Sequence, residues 1–159
     1  MTAAPDTPIA CEACKLAARE HGRASWERLL SGPGLALFDA VERRDGQPDL
    51  PARIAERARA GDPVAARAAR AFARTVGEFA GDLCLALCAW GGVYFTGGVL
   101  RGLGRGLDLA ALREGFVDKG RLSARLRTVP LLQVLAGDLA ARGLGRLLAG
   151  EAEAPIVQA

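Results

Sequence analysis

Clusters of basic residues are missing from this 159-residue sequence: 21 Lys and Arg alternate with 18 acids for a net charge of only +3, and every base except Lys15 and Lys119 is arginine. A nucleic-acid surface concentrates positive charge on one face, so no nucleic-acid partner is expected. Nor is an export signal expected, because Met1 to Ala10 has no basic stretch leading into an apolar run, and the cytoplasm is the expected compartment. Long apolar runs are scarce. The nearest to one, Leu83 to Leu100, is uncharged but carries Gly91, Gly92, Gly97 and Gly98. It reads as the end of a buried helix, a glycine break and a buried strand, and no membrane span is expected. There is no internal repeat or low-complexity tract. The glycine-rich stretch Gly32 to Gly34 lacks the Lys of a phosphate-binding Walker loop and reads first as a tight packing turn.

What is present is enough apolar material, half of all residues, for one domain with a core. Four cysteines raise a metal question. Cys11 and Cys14 have the spacing of a zinc half-site or of a redox pair, and Cys84 and Cys88 could complete a zinc site. Both pairs, however, fall in helix-like runs rather than in a tight turn, and no strand precedes the first. The expected role is packing, with cysteine acting as a small hydrophobe and no metal bound.

Capping and periodicity outline the elements. Pro8 to Glu20 reads as a helix closed by Gly22, and Ser25 as the cap of a short helix from Trp26 to Leu30. Ser31 or Gly32 caps a third, with Pro33 in its first turn and Leu37, Phe38 and Val41 on one face. A polar link comes next, with Asp45-Gly46 as its turn, and then a helix from Leu50 to Ala60. Asp62-Pro63 is the clearest start in the chain. From it Val64, Ala68, Phe72, Val76, Phe79, Leu83 and Leu87 recur at helical spacing, predicting one helix running almost to Trp90. Short strands are predicted at Gly92 to Thr96 and Val129 to Leu135. Between them lie a glycine-rich link and a helix near Leu109 to Phe116; a final helix covers Leu139 to Leu148. Strands separated by helices imply parallel pairing. Two parallel strands are few for a sheet, so apolar surface around Leu83, Val93, Phe95 and Val134 is expected to want cover from elements outside this chain.

Four blocks carry a family likeness. At Glu27-Arg-Leu-Leu-Ser-Gly-Pro-Gly-Leu35 the sequence resembles the bacterial glucokinases, sugar kinases with the actin-like ATPase fold. Gly61-Asp62 opening a long helix, Gly92-Val-Tyr-Phe-Thr-Gly-Gly-Val99, and Phe116-Val-Asp-Lys-Gly-Arg121 before a proline-led strand at Pro130 agree in order and spacing. The resemblance implies a helix-rich α/β fold. On it, residues 1–159 form one partial C-terminal domain of a hexokinase-type fold, with about two short parallel strands and six or seven helices.

It also implies ATP-dependent phosphorylation of the 6-hydroxyl of glucose with Mg²⁺. Glu27 matches a glutamate that binds sugar hydroxyls, a role suited to a carboxylate because it accepts two directional hydrogen bonds. The plainer alternative is a solvent-facing residue paired with Arg23. Gly97 and Gly98 match a glycine pair beside the nucleotide, where missing side chains admit the ligand to the backbone and the next helix presents its positive end; the alternative is a simple strand-to-helix turn. The family's catalytic aspartate, its N-terminal phosphate loop and its Glu-Gly-Gly-His block correspond to no residue here. His21, the only histidine, stands in the wrong place for that block. No catalytic base is therefore assigned. The chain is expected to be inactive alone, and to need a complementary N-terminal half or to work as a homodimer. A noncatalytic interaction or regulatory module derived from a sugar kinase is the alternative, whereas a DNA-binding repressor lacks its recognition helix.

Overall fold

The computed structural model of the protein describes residues 3, 5–44 and 47–150, so the Asp45-Gly46 turn lies outside the described residues. The chain begins with α1 (Pro8–His21), which ends on Gly22 in the left-handed region, φ 75°. The short α2 (Trp26–Leu29) starts after a Ser25 hydroxyl that accepts from Arg28 N at 3.3 Å. Ser31 caps α3 (Gly32–Arg43) in the same way through Gly34 N. Next come α4 (Pro51–Arg59) and the 24-residue α5 (Pro63–Ala86), whose cap is Asp62 Oδ1 accepting from Val64 N at 2.9 Å. Each cap satisfies an amide that the first helical turn leaves without an internal partner.

After α5 the chain forms β1 (Val93–Phe95), α6 (Gly98–Leu103) and α7 (Leu109–Val117), the last capped by Asp108. Then come α8 (Ser123–Leu126), β2 (Leu131–Gln133) and α9 (Leu139–Leu148). The strands pair in parallel, Val93 opposite Leu131 and Phe95 opposite Gln133, as their helical crossover requires.

The core lies between α5 and the helices around it. Phe38 of α3 and Phe72 of α5 meet edge to face, 5.9 Å between centroids, and both are fully buried. On its other side α5 crosses α7 at backbone contact. A Cβ built on Gly77 would stand 1.9 Å from Leu112 O, and one on Gly115 would stand 2.1 Å from Arg74 O. Only hydrogen fits there, so these two glycines set the interhelical distance. Ion pairs tie the ends together: Arg57 of α4 reaches the buried Asp39 of α3 at 2.6 Å and the α5 cap Asp62 at 3.1 Å.

A smaller cluster, Ala80, Cys84, Phe116, Leu126 and Val129, links α5 and α7 to the sheet. The sheet's far side is unfinished. Leu83, Val93, Phe95 and Val134 are half-buried, while Tyr94 and Leu132, neighbours in the strand register, are exposed together with Leu87 and Leu135. In α9 the exposed Leu144, Leu147 and Leu148 form an apolar stripe at helical spacing.

Two expectations need correction. Helix α5 stops at Ala86, short of Trp90, because Cys88 takes a left-handed φ of 52° and turns the chain toward β1. Cys88 is therefore exposed outside the helix and not one turn beyond Cys84 within it. The supposed link after β1 contains α6 and a 3₁₀ turn at Gly104–Gly106, and α8 is a further short helix. Glycine's poor helix propensity conceals α6, although its buried Leu100 and Leu103 keep helical spacing. Among the described residues, no helix is long and apolar enough to cross a membrane.

Candidate functional site

Glu27 owes its position to the residues beside it. Trp26 and Leu29 are buried, Trp26 against Phe79 of α5 with centroids 5.0 Å apart, and so a helix of only four residues is held firmly with Glu27 facing solvent. Gly34 sets the join to the next helix: its Cβ would lie 2.0 Å from Leu29 O, so α3 must start directly against the end of α2.

Glu27 lines an open cleft of about 390 Å³ together with Glu20, His21, Arg28, Ser31 and Pro48. Neither Arg23 nor any other described residue pairs with the Glu27 side chain. Its acceptors therefore face the cleft unclaimed. His21 and Glu20, whose side chains stand 3.6 Å apart, enter the same cleft from the end of α1. Sequence reasoning missed them, since nothing local shows that α1 ends beside α2; Gly22, which stops α1 at His21, was the one available signal.

The glycine pair sits where β1 passes into α6. Gly97 has φ 129°, a region closed to residues with a side chain, and it caps α6 by accepting from Arg101 N at 3.3 Å. Gly98 is the first residue of α6 and has no such φ, so the conformational need for glycine belongs to Gly97 alone. A Cβ on either would meet no atom within 4 Å, so the space beside the backbone is open. With six residues α6 has a small dipole, so access to the backbone outweighs the helix's positive end.

The start of α3 lies between the two places along the chain of contacts. Gly32, five residues after Glu27, lies where a Cβ would touch Pro51 Cγ at 3.3 Å and Val99 Cγ2 at 3.9 Å, and Val99 is the residue directly after Gly98. Arg59 of α4 also donates to Gly102 O, pinning α6 beside α4. The cysteines contribute nothing to either place: Cys11 donates to Pro5 O at 3.2 Å and Cys84 to Ala89 O at 3.4 Å. Among the described residues no three His, Cys, Asp or Glu side chains converge as metal ligands would.

A family model described as glucokinase matches residues 1–151. A glucokinase of Aromatoleum aromaticum is 40% identical over 160 residues, covering 95% of this chain and 48% of that protein. One of Cupriavidus metallidurans is 41% identical over 141 residues, covering 85% and 42% respectively. The crystal structure of glucokinase from an Antarctic psychrotroph superposes with a TM-score of 0.79 at 26% identity, over 94% of this chain and 48% of that one. The chain thus spans about half the length of the curated relatives it matches.

Proposed function

This chain belongs to the glucokinase family, and from that membership we propose that it supplies the C-terminal half of a sugar kinase that moves the terminal phosphoryl group of ATP to the 6-hydroxyl of glucose. The observation that supports the reading is an unpartnered Glu27 lining an open cleft, together with free space beside the backbone at Gly97 and Gly98. Glu27 accepts hydrogen bonds from two sugar hydroxyls and so orients the hexose. Gly97 and Gly98 form a wall against which a nucleotide lies, and their missing side chains are what make room for it.

ATP supplies the phosphoryl group when bound, and Mg²⁺ offsets the charge of its phosphates. The open backbone fits a nucleotide, but the described residues offer no cluster of three ligands for a metal, so no role of this half is assigned through Mg²⁺. The general base that takes the sugar proton comes from the complementary half, in line with the chain spanning about half of its relatives. Tyr94, Leu132 and the leucines of α9 are apolar surface of the kind such a half would cover.

The test is to express the chain with a complementary glucokinase N-terminal half and to measure ATP-dependent formation of glucose 6-phosphate. The chain alone is expected to be inactive and the assembly active. In that assembly Glu27→Gln should weaken glucose binding by about 1.5 to 3 kcal/mol, the range for hydrogen bonds to a charged group, without lowering stability. An inactive but stable assembly would favour a noncatalytic module derived from a sugar kinase.

A further inference from the structure

The Gly97 turn has an uncommitted cation beside it. Arg101 of α6 is half-buried, yet its guanidinium makes no ion pair, hydrogen bond or ring contact with any described residue. The other half-buried arginines, Arg43, Arg57 and Arg74, each hold a carboxylate, at 3.0, 2.6 and 2.8 Å. A guanidinium that gives up part of its hydration with no anion opposite it is an unbalanced charge. The neighbouring sequence offers it none, because residues 83–107 contain Arg101 and Arg105 and not one Asp or Glu.

Helix α6 fixes where that charge stands. Its buried Leu100 and Leu103 seat it on the core, Arg59 of α4 donates to Gly102 O, and Arg101 N donates to Gly97 O at 3.3 Å. A helical side chain leans toward the N-terminus and lies over the residues three and four positions before it. For Arg101 these are Gly98 and Gly97, beside which the space is open. A cation therefore stands over a stretch of backbone that has no side chains of its own.

We propose that Arg101 binds the phosphate chain of a nucleotide lying along Gly97 and Gly98. The proposal rests on the sugar-kinase reading, which gives the glycine pair to the nucleotide but names no cation for its phosphates. A guanidinium suits that ligand, since its planar fork donates two parallel hydrogen bonds to one phosphate group and its charge is permanent. Arg101 is thus a binding group that draws the phosphates to the turn, with no part in moving a proton. Having no protein partner to lose, it can be replaced without loss of stability, and a merely structural arginine could not.

NMR of the isotope-labelled full chain tests it by following the Arg101 Nε–H and the Gly97 and Gly98 amides as ATP, adenosine, tripolyphosphate or sulfate is added at millimolar concentrations. ATP should shift all three signals, tripolyphosphate should shift that of Arg101, and adenosine should leave Arg101 in place. Arg101→Gln should weaken ATP binding about tenfold or more with an unchanged melting temperature, and Arg101→Lys, which keeps the charge but not the fork, should fall between. In the assembly with an N-terminal half, Arg101→Gln should raise the KM for ATP about tenfold and leave the KM for glucose as it was. An Arg101 signal that ATP does not move, or that sulfate moves as far as ATP does, would overturn the proposal, and so would a lower melting temperature with unchanged ATP affinity in Arg101→Gln. An active assembly in which Glu27→Gln raises the KM for glucose but Arg101→Gln spares the KM for ATP would remove Arg101 and keep the sugar-kinase reading. ATP held through Arg101 by a chain whose assembly stays inactive would do the reverse.

Discussion

The two ends of α5 live under different rules. Its middle, between Phe72 and Gly81, is buried at all but Arg74 and Phe79, by Phe38 through an aromatic contact and by α7 through glycines that admit no side chain. Its last turn leads to a two-stranded sheet with one finished face, where Tyr94 and Leu132 stand side by side in water. The first region completes its burial from its own sequence; the second does not. Stability is thus concentrated in the helical body, and the sheet end together with α9 is the part that depends on what it meets.

That contrast can be broken most forcefully at the crossing. Gly77→Val puts its first side-chain carbon 1.9 Å from Leu112 O, a backbone atom that cannot step aside. The expected loss exceeds about 4 kcal/mol, the range reserved for disrupted cores, and urea denaturation should show no cooperative native baseline. Arg57→Ala comes next, since it strips the buried Asp39 of its 2.6 Å partner. Removing one member of a buried pair costs about 3 to 5 kcal/mol, and the low end is expected because Arg43 Nε remains 3.0 Å from Asp39. The denaturation midpoint should fall with an unchanged slope.

Smaller effects sharpen the comparison. Gly97→Ala must hold φ near 129° and should cost about 1 to 3 kcal/mol, whereas Gly98→Ala, with open space and no positive φ, should leave the melting temperature nearly unchanged. Equal losses at the two positions would refute the assignment of the strain to Gly97. The smallest effect belongs to the sheet face. Replacing Tyr94 and Leu132 together by Ser should shift the stability of the isolated chain by no more than about 0.5 kcal/mol. In an assembly with a complementary half, the same pair should cost about 1.5 to 3 kcal/mol per residue if that half covers the face. Equal small shifts in both settings would show that the face stays bare.

Where the sequence speaks locally, it speaks clearly. Asp62-Pro63 starts α5, Ser25 and Ser31 cap their helices, and the final helix falls on Leu139–Leu148 as its periodicity requires. These features depend on hydrogen bonds and spacings within a few residues. The misses depend on distant partners. Nothing near Cys88 signals a left-handed turn, because neither glycine nor proline marks it. Gly77 and Gly115 look like helix weakeners until their 38-residue separation closes into contact, and Glu78 reads as a surface acid until α7 covers it. At the candidate site, Glu27 and the glycine pair were visible only through family likeness. The contact of Gly32 with Pro51 and Val99, which brings the start of α3 beside α6, was not legible at all.

The glycine crossing also limits how the molecule can move. Packed helices usually yield by sliding a fraction of a turn along one another, because side chains can change rotamer as ridges pass. Here the contact is between main chains. With the two backbones in contact at Gly77, Gly81 and Gly115, no side chain is there to change rotamer and let one helix ride over the other. Shear is therefore expected to be small, with the two helices moving as a single beam. Any closing motion that brings the Glu27 cleft and the Gly97 turn toward a bound ligand must therefore rotate about the loops at the beam's ends. The loop at residues 87–92 after α5 and the turn at 104–108 before α7 are the places where such a rotation is expected.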